Sequence, residues 1–317
     1  MKVVVIGCGI IGSAIAFHLT RSGVAVEVWE GQTTPGLGAT GAALGILLAV
    51  SSRARGRIDR LRLASLHLYD QWLPTLGEGV LLHQGIFCIP QNSEDWAELV
   101  ERRREQGYIL SPGRLGQWEG FFSPADRVVH PRNLLFALIG QATAGGAKFH
   151  WGRKLLPGET PVADRVVISA GLGTRELAPL PLQPIGGQGI LVRAESIDPP
   201  LPAVHIRDEV GDVNIVPLPQ GKYWIGATVE FDPTVLPRAE NVASLLHRVG
   251  NYFPQFHQSE VLDTWANYRP RPIGRSAPVI EHLPDRPHWI VASGHYRNGI
   301  LLAPITAQLV KEMILAV

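Results

Sequence analysis

The tightest constraint on this chain comes from its first thirty residues. Residues 3–6, Val-Val-Val-Ile, form an unbroken apolar run, and Gly7-Cys8-Gly9-Ile10-Ile11-Gly12 follows at once. Such a run reads as a strand buried on both faces, and the glycine turn opens a helix that stops at Gly23. Residues 24–29 supply the next strand, which delivers Glu30 and Gly31. Strand, glycine turn, helix, strand and acid, in that order, make a dinucleotide-binding βαβ unit. Gly7 permits the tight turn, Gly9 lets backbone approach a pyrophosphate, and Gly12 lets helix and strand pack closely. Free N–H groups at the helix start near Ile11 face the anionic oxygens. Glu30 is placed for an adenosine ribose, and its charge disfavours a 2′-phosphate and with it NADP as the main cofactor. The spacing alone leaves FAD and NAD open.

Composition removes other classes. The 317 residues can bury a large core in one or two domains. A formal charge of +1, from 29 basic and 28 acidic residues, gives no general pull toward nucleic acid or a membrane surface. The longest apolar run, at 41–50, is glycine-broken and too short to cross a bilayer. Met1-Lys2 leads straight into the first strand, and a cleavable leader would destroy that unit, so a cytoplasmic location is expected. Cys8 and Cys88 belong to no CxxC or metal-ligand pattern, which suits a reducing compartment and predicts no metal site. No GxSxG elbow, Walker A sequence or HExxH helix occurs. Arg53, Arg55, Arg57, Arg60 and Arg62 sit in a helical stretch and read as a solvated face.

Further strands are expected at 85–90, 165–170, 189–192, 214–217, 223–229 and 288–293, and helices at 56–73, 95–107, 131–143, 240–252 and 300–315. The short runs from 189 to 229, separated by proline and glycine turns, suggest an antiparallel sheet. The expected fold class is α/β, a Rossmann-like dinucleotide-binding domain with an inserted antiparallel-sheet substrate domain (α+β). Residues 1–80, 130–178 and 266–317 are assigned to the first domain, and 81–129 and 179–265 to the second.

Two arginines near the end stand out. Arg297 lies in Gly294-His295-Tyr296-Arg297-Asn298-Gly299-Ile300, a polar turn between a strand and an apolar helix. Arg269 lies in Asn267-Tyr268-Arg269-Pro270-Arg271-Pro272, an extended segment restricted by its prolines. A guanidinium can hold a carboxylate bidentately. Either arginine could equally be structural or solvated, and His295 could brace the turn or move a proton.

Taken together, these motifs resemble the glycine oxidase branch of the FAD-dependent D-amino-acid oxidase family over nearly the whole chain. The likeness rests on residues 294–304, on the glycine turn with Glu30, on Gly38-Ala39-Thr40-Gly41-Ala42-Ala43-Leu44-Gly45-Ile46, and on Ile225-Gly226-Ala227-Thr228. It implies FAD as cofactor, with Thr40, Ala43, Gly45, Ala170, Gly171, Gly294, Arg297, Asn298, Gly299, Ile300 and Leu301 joining the amino-terminal turn in holding it. Arg269 would clamp a substrate carboxylate, with Arg297, Asn214 and Ile46 lining the pocket. The family's active-site tyrosine aligns with Asn214 and its neighbouring histidine with Asp212, which shifts the expected substrate more than the reaction. The implied chemistry is hydride transfer from a small amino acid to the flavin, with no catalytic side chain, giving an α-keto acid (glyoxylate from glycine), ammonia and hydrogen peroxide from oxygen. Sarcosine, proline or D-amino-acid oxidation, by an oxidase or a dehydrogenase, and a non-catalytic flavin-binding role are the rivals. The resemblance also implies a homo-oligomer and a role in making the thiazole of thiamine.

Overall fold

The apolar opening run becomes β1 (Lys2–Ile6), buried in all but its first residue. The computed structural model describes residues 1–92, 94–194, 200–232 and 234–316. After β1 come α1 (Ile10–Thr20), β2 (Ala25–Glu30), β3 (Ile46–Leu47), α2 (Gly56–Trp72), β4 (Leu81–Ile89) and α3 (Glu94–Glu105). The middle of the chain holds β5 (Ser111–Leu115), β6 (Trp118–Val129), α4 (Pro131–Ala144), β7 (Lys148–Trp151), β8 (Arg165–Ile168) and α5 (Thr174–Leu177). Next are β9 (Leu182–Arg193), β10 (Val204–Asp208), β11 (Gly211–Leu218), β12 (Lys222–Gly226) and α6 (Ala239–Gly250). The chain closes with β13 (Glu260–Pro272), β14 (Val279–Leu283), β15 (Arg286–Ser293) and α7 (Gly299–Leu315).

The fold is α/β, as expected, with two sheets. The first has the order β14-β15-β8-β1-β2-β7, parallel throughout except for β14. Its central strands carry Val3, Val4, Val5, Val166, Val167 and Ile168 at no exposure, the burial that a parallel sheet covered on both faces imposes. One cover is α1, which packs against α4 and α7.

The second sheet has the order β13-β9-β12-β11-β10-β4-β6-β3, with β5 paired to β6. It departs from the wholly antiparallel expectation in one place, because β10 and β4 run parallel. A parallel pair needs a long crossover, and between β4 and β10 the chain leaves for β7 and β8 of the first sheet before returning. Strand periodicity divides the faces of this sheet. Ile190, Val192, Ile206, Val213, Ile215 and Ile225 pack with Leu245, Val249 and Phe256 from α6 and the segment after it. Their neighbours His205, Arg207, Asp212 and Asn214 point the other way, into a cavity. The expected seam at 265/266 falls inside β13, and β3 of the amino-terminal part pairs with β6 of this sheet.

Candidate active site

Two cavities of about 590 and 480 Å³ meet between the sheets and share Ile10, Thr40, Tyr268, Tyr296 and Gly299 in their walls. The smaller gathers Gly7, Gly9, Ile11, Glu30 and Gly31 with Ala170, Gly171 and Gly294. The larger gathers Ala43, Gly45 and Ile46 with Asn298, Ile300 and Leu301, and adds Asn214, Arg269 and Arg297. Gly12 alone among the sequence-selected residues lines neither.

The glycines of the first turn separate by physical cause. Gly7 has φ +98°, in the left-handed region that favours glycine. A Cβ on Gly12 would stand 1.9 Å from the carbonyl oxygen of Gly7, a backbone clash that cannot relax. Gly9 is different, since a Cβ there would meet nothing nearer than Thr40 Oγ1 at 3.4 Å. Protein packing therefore requires glycine at 7 and 12, whereas the bare Cα of Gly9 leaves room on the cavity side, as a bound pyrophosphate needs. Glu30 is pinned at the rim, one carboxylate oxygen accepting from Cys8 N at 2.7 Å and the other from Gln32 N at 2.8 Å. Thr40 Oγ1 accepts from Ile10 N at 3.0 Å and so caps the helix start. Gly9→Ala is expected to fold normally yet bind FAD about tenfold more weakly, an overpacking cost of roughly 1–2 kcal/mol. Equilibrium titration of the apoprotein with FAD measures this, and unchanged affinity would remove the pyrophosphate from that position.

The carboxyl-terminal turn is held from α2. Pro304 lies within α7 and has no N–H to donate to the carbonyl of Ile300. Tyr69 Oη donates to that carbonyl instead, at 2.6 Å. Ser65 Oγ donates to the carbonyl of Leu301 at 2.6 Å and accepts from Ile305 N at 3.3 Å, inserting a hydroxyl into the helix ladder. The first turn of α7, which carries the cavity-lining Ile300 and Leu301, is thus stapled by two buried side chains that the sequence analysis missed. Tyr69→Phe leaves the Ile300 carbonyl unpaired, and denaturant unfolding should show a loss of about 1–3 kcal/mol. His295 resolves as a brace. Its ring bonds Thr306 Oγ1 at 2.9 Å, and burial pushes its pKa down to about 3, so it is neutral at physiological pH.

The expected solvated face on α2 needs correction. The helix begins at Gly56, and Arg57 and Arg60 are exposed, but Arg62 turns inward. It donates to Ser52 Oγ and, at 2.8 Å, to Asn298 Oδ1 of the carboxyl-terminal turn. Ser51 and Ser52 belong to a loop gripped from two sides. Buried Asp126 accepts from the N–H groups of Ala49, Val50 and Ser51 at 2.7–2.8 Å, and from Ser51 Oγ at 2.5 Å. Fully buried Arg103 donates to the carbonyls of Ala49, Val50 and Ser52 and pairs with Asp59 at 2.6 Å.

On the large sheet, Arg269 projects from β13 and donates to the carbonyl of Gly186 at 2.6 Å. Its guanidinium lies flat over Gly187, where a Cβ would come within 2.1 Å of it. Among the described residues no carboxylate pairs with it. Burial, and then the charge of Arg297, pull its pKa down to about 10, so it stays cationic and short of an anion. Arg297 pairs with Asp212 at 3.0 Å, and Arg207 lies 3.6 Å from the same carboxylate. His205 sits opposite Asn214 across β10 and β11, and its Nδ1–H donates to the amide oxygen at 2.9 Å. The Asn214 amide donates in turn to the Gly226 carbonyl at 3.2 Å. Burial lowers the pKa of His205 despite Asp212 nearby, which keeps the ring neutral. Burial opposes ionisation of Asp212, yet Arg297 and Arg207, which stay charged beside it, hold its pKa below the ordinary value. His205 and Arg207 had no signal in the sequence analysis, and Gly187 was passed over there.

The chain matches known proteins over nearly its whole length. A family described as DAO, FAD dependent oxidoreductase, matches residues 2–313. The chain is 29% identical to the glycine oxidase of Geobacillus kaustophilus (strain HTA426), covering 98% of this chain and 92% of that protein. It is 30% identical to the bifunctional protein ThiO/ThiG of Synechocystis sp., covering 99% of this chain but 51%, about half, of that relative. The crystal structure of glycine oxidase from Geobacillus kaustophilus superposes with a TM-score of 0.83 at 27% identity, over 99% of this chain and 94% of the other. No helix among the described residues is long and apolar enough to cross a membrane.

Proposed function

Because this chain belongs to the FAD-dependent oxidoreductase family, we propose that it oxidises glycine or another small amino acid at the α-carbon, with FAD held across the two cavities. The observation that carries this reading is Arg269, a desolvated cation with no carboxylate partner among the described residues, facing the cavity that joins the dinucleotide turn. A substrate carboxylate would complete its charge and fix the α-carbon over the cavity. FAD, when bound, accepts the α-hydrogen with its electron pair and passes two electrons to oxygen, yielding hydrogen peroxide.

The residues around the site set the protonation of the substrate. Asp212 is committed to Arg297 and Arg207, and His205 to Asn214. Neither is arranged to strip a proton from carbon, so the substrate amine enters neutral and the nitrogen lone pair assists loss of the α-hydrogen. Asn214 and Arg297 line the same cavity as Arg269. The imine product hydrolyses to an α-keto acid and ammonia, which for glycine is glyoxylate. Anaerobic absorbance of the FAD-loaded protein during titration with glycine, sarcosine and D-alanine tests the reading. Bleaching of the flavin band followed by recovery in air supports it, and persistent bleaching in air would indicate a dehydrogenase. A flavin band unmoved by any amino acid would overturn it.

A further inference from the structure

The larger cavity is unevenly charged. Its described lining includes Arg53, Arg62, Arg207, Arg269 and Arg297, with Asp212 as its one acidic side chain. Arg62 is engaged by Ser52 and Asn298 at the cofactor turn. Arg269 faces the cavity over Gly187 on β9. Of the others, Arg207 from β10 and Arg297 from the carboxyl-terminal turn share Asp212 on β11. One carboxylate between two guanidinium groups leaves a net positive charge, and each guanidinium carries five N–H donors. Arg207 approaches Asp212 no closer than 3.6 Å, beyond hydrogen-bond distance, so its donors remain available to a ligand.

The sheet sets the separation of the two cationic centres. In the order β13-β9-β12-β11-β10, the guanidinium of Arg269 stands over β9, and Asp212 with its two arginines stands over β11. Two strand spacings put these centres about 10 Å apart. Charge-assisted contacts of roughly 3 Å at each end leave a gap that a small molecule bearing two carboxylates spans. A monocarboxylate fills one end only.

We propose that the substrate is an amino or imino dicarboxylate, its α-carboxylate on Arg269 and its second carboxylate on Arg207 and Arg297. This rests on the reading of the site as an amino-acid oxidase with Arg269 as the α-carboxylate anchor. Asp212 is then a tether that orients two guanidinium groups toward the incoming anion. Arg207 is the specificity-determining residue of the set.

The test compares anaerobic flavin reduction by aspartate and glutamate of either hand and by iminodiacetate with reduction by glycine, sarcosine and D-alanine, in the FAD-loaded protein and in Arg207→Gln. Arg207 has 46% of its side chain exposed, so the variant should fold, and its FAD content confirms that. At least one dicarboxylate is expected to exceed every monocarboxylate by about tenfold or more in kcat/KM. Arg207→Gln should cut that advantage by about tenfold through KM, and Arg207→Lys should restore part of it. Malonate and succinate should perturb the flavin spectrum at lower concentration than acetate. Monocarboxylates that serve as well, or an advantage that survives Arg207→Gln, would overturn the dicarboxylate assignment and leave amino-acid oxidation standing. A flavin that no compound reduces would overturn both.

Discussion

Arg269→Ala is expected to lower kcat/KM for the amino-acid substrate by about 10²–10³-fold, or about 3–4 kcal/mol, with FAD content unchanged. In the folded protein this guanidinium has given up much of its hydration and received one neutral carbonyl, that of Gly186, in return. A substrate carboxylate would complete the exchange, so its loss should appear in binding and in the placement of the α-carbon. Stability should hardly fall, since removing a desolvated cation also removes a burial penalty. Arg269→Lys keeps the charge but loses the planar two-pronged contact, and an intermediate loss is expected. Stopped-flow reduction under nitrogen, with FAD occupancy checked by absorbance, separates these effects. Wild-type reduction rates in Arg269→Ala would place the carboxylate elsewhere.

The second large effect concerns stability. Asp126→Ala should cost about 3–5 kcal/mol in denaturant unfolding, because it leaves three buried N–H groups and one hydroxyl without an acceptor. Arg103 grips the carbonyls of Ala49, Val50 and Ser52 and keeps Asp59 as its partner, so the loss falls on the N–H side of the loop. Asp126→Asn retains one acceptor oxygen and should fall between wild type and alanine. A loss below about 1 kcal/mol would mean that water replaces the carboxylate and that the loop is not fixed by it.

The sequence disclosed what its neighbours in the chain determine. The turn from Gly7 to Gly12 announces itself because strand, helix and acid follow within a few tens of residues, and the polar turn before α7 is similarly local. His205 and Arg207 were invisible, since their place depends on a parallel pairing of β10 with β4, more than a hundred residues away. Gly186 and Gly187 fall just before the strand expected at 189–192 and were assigned to no element. They instead lie inside β9, which runs from Leu182 to Arg193, and their missing side chains make room for Arg269. Glycine within a strand often marks such a close approach, and that was the available signal. Arg62 was misread because arginine spacing on a helix cannot show which neighbour comes to meet it.

The strand order of the first sheet also bears on how the protein is made. Its central strand, β1, is synthesised long before β15 and α7, which complete that sheet and its cover. Helix α1, which presents the glycine turn, packs against α7, and the larger cavity is closed by Ile300 and Leu301. A nascent chain can therefore fold much of the large sheet while its cofactor pocket still lacks a wall. FAD capture then waits until α7 has been made and has packed against α1.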